Sequence, residues 1–211
     1  MARDLSHIHE VVDARLGAKH AAREAALPES RRAIRFAANA IRAVHRGEVA
    51  VAQGLLAECE EALRAAEKAC DDQPAVRWAG FVHDAAKEYA EARITFALVN
   101  DEPLPTPDEL GIEASAWLNG AAEAIGELRR HLLDVLRTGA LERCEDLLGD
   151  MDEIHAMLVT IDYPDGITGG LRRSTDVARS IIERTRGDLT TALVQGRLRE
   201  ALEEHARHLR P

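Results

Sequence analysis

Glu88 with Glu91, and Glu123 with Glu127, are the residues whose type and spacing best suit chemistry in this sequence. Each pair falls at i,i+3 or i,i+4, so on a helix both carboxylates share one side, with Cβ atoms about 5–6 Å apart. Carboxylates held this close repel, and relief comes from a raised pKa or a bound cation. Hard divalent ions such as Mg²⁺ and Mn²⁺ take oxygen ligands and commonly bridge to phosphates. Such a site suits metal-assisted hydrolysis of a phosphodiester. Paired glutamates also decorate solvated helix surfaces, and spacing alone leaves that reading open. A di-iron carboxylate bundle would need Glu-x-x-His on two helices, and neither acidic segment supplies the histidine.

A basic feature lies earlier in the chain. Arg31, Arg35, Arg42 and Arg46 project within about 60° of one another on a helix, opposite Ile34, Ile41 and Val44. Such a stripe can follow a phosphate backbone, and it equally fits a solvated face or a subunit contact. Cys59, Cys70 and Cys144 form no C-x-x-C pair and read as reduced core thiols. No glycine-rich phosphate loop, G-x-S-x-G elbow or Cys/His zinc spacing is present.

The elements that position these residues are helical almost throughout. Apolar spacing predicts helices over Ser6 to about Ala26, then from beyond Pro28 to Gly47, and from Glu48 to Cys70. A long helix is expected over about Ala75 to Val99, carrying Trp78, Phe81, Tyr89 and Phe96 on its buried arc. On this arc Glu88 lies at the edge and Glu91 just outside. Pro103, Pro105 and Pro107 enforce a loop after Asn100. Further helices are predicted over about Ala114 to Thr138, Ala140 to Thr160, and Leu171 to about Glu204. No segment sustains the alternation of a strand. The expectation is an all-α, seven-helix bundle in one domain, residues 1–211, with Glu123 and Glu127 flanking an apolar face led by Trp117. If the helices bearing the two acid pairs pack together, all four acids converge.

Composition narrows the partners. The 211 residues carry 37 acidic and 27 basic side chains, a formal charge of −10, and only 3% aromatics. This balance argues against a general basic coat for duplex DNA, and the few aromatics argue against recognition mainly by base stacking. No apolar run reaches the ~18 residues of a membrane span, and no export signal is visible at the start, so a cytoplasmic protein without a membrane partner is expected.

The acidic segments also carry a resemblance. Lys87-Glu88-Tyr89-Ala90-Glu91-Ala92 and the stretch from Trp117 to Arg130 resemble, in order, the two acidic segments of translin-associated factor X, a member of the translin family. Glu109-Leu110-Gly111-Ile112 is similar to a translin turn, and His45-Arg46-Gly47 resembles the loop after that family's second helix. The resemblance implies an all-α subunit of a closed homo-oligomeric shell, most often an octamer. It further implies a Mg²⁺- or Mn²⁺-dependent endoribonuclease acting on single-stranded RNA. The alternative within the family is a non-catalytic binder of RNA or single-stranded DNA. Glu88, Glu91, Glu123 and Glu127 would be the catalytic and metal-holding acids, with Glu123 standing where the family has Asp. Arg31, Arg35 and Arg42 are the expected RNA-lining residues, inside an acidic exterior.

Overall fold

Six long helices and three four-residue helical turns make up the computed structural model, which describes residues 4–208; no strand occurs among them. They are α1 (Ser6–His45), α2 (Val49–Lys68), the turn α3 (Pro74–Arg77), α4 (Phe81–Val99) and the turn α5 (Pro107–Leu110). Then follow α6 (Ala114–Leu136), α7 (Leu141–Val159), the turn α8 (Asp165–Thr168) and α9 (Leu171–His208). The all-α expectation holds, and the boundaries differ in two places.

The first two predicted helices are one. Pro28 lies inside the 40-residue α1. Proline removes one N–H and crowds the carbonyl four residues back, which here belongs to Glu24. Both Pro28 and Glu24 are exposed, so water can serve the freed carbonyl, while Ala26 and Ser30 on the other side are buried and keep the helix seated. Conversely, the helix expected from Ala75 splits. Gly80, at φ 98°, separates α3 from α4, a left-handed conformation that favours glycine. Trp78 therefore leaves the buried arc and is 62% exposed, whereas Tyr89 and Phe96 are buried as expected.

The core is built largely from alanine. Ala33, Ala37 and Ala40 of α1, Ala85, Ala90 and Ala92 of α4, and Ala116, Ala121 and Ala124 of α6 are fully buried. Small side chains let helix axes approach closely, and larger residues such as Ile94, Ile125, Leu128 and Leu132 fill the remaining space. At Gly120, α6 comes especially close to α4. A Cβ there would lie 2.7 Å from the Ala90 Cβ, 2.7 Å from the Lys87 carbonyl oxygen and 2.9 Å from the Glu91 backbone nitrogen. This bare position presses α6 directly onto the α4 segment that carries Glu88 and Glu91.

Polar staples fix the rest of the frame. Buried Asn119 of α6 donates from Nδ2 to the Thr168 carbonyl at 2.7 Å and accepts from the Ser174 hydroxyl at 2.8 Å, tying α6 to α8 and α9. Arg129 of α6 donates to Thr185 and pairs with Asp188, both on α9. The proline loop is held by the Trp117 Nε1–H, which donates to the Pro105 carbonyl at 2.8 Å, and by Arg143, paired with Asp101 at 2.7 Å. A capping box between Thr106 and Glu109 starts α5.

Both terminal helices extend apolar residues into solvent. Ile8, Val12 and Leu16 of α1 and Val194, Leu198 and Leu202 of α9 are all exposed. No helix among the described residues is long and apolar enough to cross a membrane.

Candidate metal centre on α4 and α6

Glu88 and Glu91 stand one turn apart on α4, and Glu123 faces them from α6. One carboxylate oxygen from each lies within 4.8 Å of the others. The convergence expected if the two helices pack together is thus observed for these three. Glu127, one turn beyond Glu123, lies outside this grouping, but its charge still acts on Glu91.

The three α4–α6 acids are not equivalent electrostatically. Burial pushes the Glu91 carboxyl up to about 8, reinforced by the charges of Glu88, Glu123 and Glu127. Helical projection places Glu91 outside the apolar arc; its burial comes with the packing of α6 against α4, which local periodicity does not register. Glu88 is raised as well, again first by burial, with the neighbouring Lys87 charge opposing. Lys87 reaches into the cluster. Its ammonium donates to Glu123 at 2.7 Å and lies 3.6 Å from Glu88. Burial works against the Lys87 charge, yet its bond to Glu123 and the surrounding acids raise its pKa overall. A cation is therefore already accommodated between the α4 and α6 carboxylates.

Glu127 has a different partner. His45, at the last turn of α1, places Nε2 at 2.5 Å from Glu127 Oε2, and its side chain is 4% exposed. The carboxylate can only accept, so Nε2 carries the proton. This bond holds the Glu127 carboxyl below its usual range against the opposing effect of burial. His131 stacks at a tilt 6.3 Å from His45, and burial lowers its pKa. His45 lies 82 positions from Glu127 in sequence. Only the tertiary approach of α1 to α6 reveals it, and no local spacing signal marks it.

Loss of this donor has a measurable cost. His45→Leu is expected to destabilise the protein by about 1–3 kcal/mol at pH 7, because Glu127 keeps its charge without its partner. A carboxyl with a lowered folded pKa stabilises above its unfolded value and loses that contribution as pH falls through the folded one. Urea unfolding of both proteins at pH 7 and pH 3 should therefore show the deficit shrinking in acid.

The predicted RNA-lining residues Arg31, Arg35 and Arg42 are all exposed on α1. Arg42 bonds Asn39, and Arg46 is paired with Glu48. The tail arginine Arg186 is engaged by both oxygens of Asp152. A surface hollow of about 800 Å³ is formed by the α7–α8–α9 corner around Tyr163 and Arg179 and contains none of the four acids. A smaller one, about 390 Å³, has Glu91 and Glu123 in its wall.

The donor set fits a hard divalent cation. Its carboxylate oxygens come from rigid helices, one acid is driven to take a proton when no cation is there, and an ammonium already bridges two others.

No protein-family model matches the chain. It is 32% identical over 124 residues to an uncharacterised protein of Methanocaldococcus jannaschii, covering 58% of this chain and 55% of that relative, so it spans about half the relative's length. Among solved structures, AfC3PO in a complex with duplex RNA superposes with a TM-score of 0.82 at 33% identity, over 88% of this chain and 96% of that one. AfC3PO alone gives 0.81 at 32%, over 88% and 97%. Apo-NeC3PO shares the fold at 17% identity, with a TM-score of 0.79 over 90% and 100%. With about a third of its residues identical across nearly the whole of AfC3PO, the chain belongs to the C3PO-type members of the translin family.

Proposed function

We propose that this chain is the subunit of a divalent-metal-dependent endoribonuclease that cuts single-stranded RNA, of the translin-associated factor X type. The observation that supports it most is the convergence of Glu88, Glu91 and Glu123 within 4.8 Å, with Glu127 alongside. These four acids would hold one or two Mg²⁺ or Mn²⁺ ions. When bound, such an ion neutralises charge on a phosphodiester and activates water for in-line attack.

The chain's own residues prepare that chemistry. Glu91 holds a proton near neutral pH while no cation is present and gives it up when one binds, so affinity for the ion should rise with pH. Lys87 keeps Glu123 and Glu88 turned toward each other. His45 fixes the orientation of Glu127 by donating to one of its oxygens, leaving the other free of that bond. Exposed Arg31, Arg35 and Arg42 would attract the RNA backbone. The complex of the relative AfC3PO with duplex RNA supports RNA as the ligand class.

Assembly follows from the surface. Apolar residues exposed along α1 and α9 would be covered in a homo-oligomer, and the family resemblance favours an octameric shell. Three buried, unpaired cysteines suit a reducing compartment such as the cytoplasm.

The test is incubation of a labelled single-stranded RNA with the purified protein and Mn²⁺, beside a Glu127→Ala variant. Cleavage by the wild type that falls at least about 100-fold in the variant is expected. Equal cleavage by both would sink the proposal. The second reading, RNA binding without cleavage, is favoured if RNA is retained on the protein and stays intact with Mn²⁺.

A further inference from the structure

The hollow beside the acids is bounded by Glu91 and Glu123 on one side and by Arg173, Ser174, Val177 and Ile181 of α9 on the other. We propose that it is a subsite for one nucleotide of the RNA strand, flanking the phosphate that is cut: the base and ribose lie against Val177 and Ile181, and an adjoining phosphate meets Arg173. The inference rests on reading the acid cluster as the cleavage site.

Three features select this ligand. Val177 is 53% exposed although apolar and β-branched, and with Ile181 it forms an apolar shelf opening onto the acids. Arg173 brings the only positive charge in the lining, set across from the carboxylates. A ligand satisfying this wall needs an apolar face joined to an anion, and a nucleotide unit has both. The volume, about 390 Å³, lies near the small end of pockets that hold organic ligands, ~300–1,000 Å³. It is large enough for one unstacked base with its ribose, as a single strand would present.

The wall is also preorganised. Ser174 donates to Asn119 at 2.8 Å, and Asn119 sits on α6 one turn before Glu123. The shelf and the acids are thus held on one frame, and a nucleotide resting on α9 would be registered against the cluster. With no aromatic residue in the lining, contact comes from aliphatic surface that tolerates any base, so little sequence preference is expected.

The experiment measures binding of a fluorescent single-stranded oligoribonucleotide in EDTA, where neither metal nor cleavage intervenes, across a salt series. Val177→Trp, which fills the hollow, should weaken binding about tenfold. Arg173→Ala should weaken it several-fold and flatten the dependence of log K on log salt by about 0.7, the value for one phosphate contact on a single strand, and Arg173→Lys should restore that slope. Both positions are exposed, so unchanged melting temperatures are expected and verify folding. Wild-type affinity and slope in both variants would overturn the subsite. Variant-sensitive binding by a protein that never cleaves RNA with Mn²⁺ would support nucleotide binding in the hollow but refute the catalytic reading, and with it the placement beside a cut phosphate. No binding by the wild type would overturn the subsite, leaving the catalytic reading to the Mn²⁺ cleavage assay.

Discussion

Replacing Glu91 by Gln is expected to abolish Mn²⁺-dependent RNA cleavage and, in metal-free protein at pH 8, to raise the melting temperature. The two effects share one cause. Burial and three neighbouring carboxylates push the Glu91 carboxyl up to about 8, above its ordinary value of 4.5. A group whose folded pKa is raised contributes stability that is complete below the unfolded pKa and is lost as pH climbs through the folded one. Metal-free wild-type protein should therefore lose stability between about pH 4.5 and pH 8. Glutamine keeps the shape, stays neutral and escapes that loss, so its melting curve should diverge upward from the wild type as pH rises. For a chain of this length each kcal/mol gained corresponds to about 2–4 °C. The same neutral amide is a poor ligand for a hard cation, and activity should drop at least about 100-fold. Differential scanning calorimetry in EDTA at pH 5 and pH 8, with cleavage assays on the same preparations, checks both halves. A Gln variant less stable than the wild type at pH 8 would contradict the electrostatic account of Glu91.

Gly120→Ala is expected to destabilise the fold by about 1–3 kcal/mol through overpacking and to weaken Mn²⁺ binding about tenfold, on the scale of residues that support a metal site from behind. The added methyl would meet the Ala90 Cβ at 2.7 Å and backbone atoms of Lys87 and Glu91 at 2.7 and 2.9 Å. Backbone cannot swing aside, so α6 must move off α4, carrying Glu123 away from Glu88 and Glu91. Gly126, two turns along the same helix, supplies the control. Its added Cβ would touch only the Ile181 Cδ1, at an ordinary 3.9 Å, so Gly126→Ala should gain about 1 kcal/mol of helix propensity. Denaturant unfolding and Mn²⁺ titration of the two variants should move in opposite directions in stability. Similar shifts in both would mean that the α4–α6 approach does not set the cluster.

The acid pairs were legible because their signal is local: i,i+3 and i,i+4 spacing beside an apolar face needs only helix geometry. The proline loop at 103–107 and the all-α class were legible for the same reason. Pro28 misled because its cost depends on which face of α1 it occupies, and that face is fixed by packing against α2 and α4. Gly80 went unread because the apolar phase continues through it from α3 into α4, and only its left-handed backbone breaks the helix. His45 and Lys87 became part of the site only when α1 and α6 closed around it. Gly120 looks like a weak point in a helix until its neighbour is known. The acids are encoded locally, and the groups that tune them arrive with the tertiary fold.

The central claim is most directly tested by the fate of a single-stranded RNA incubated with wild-type protein, in Mn²⁺ and in EDTA, with a duplex of the same sequence alongside. The account predicts internal cuts in the single strand with Mn²⁺, none in EDTA, and marked resistance of the duplex. Tight binding with an intact single strand in Mn²⁺, or equal cutting in EDTA, would contradict it.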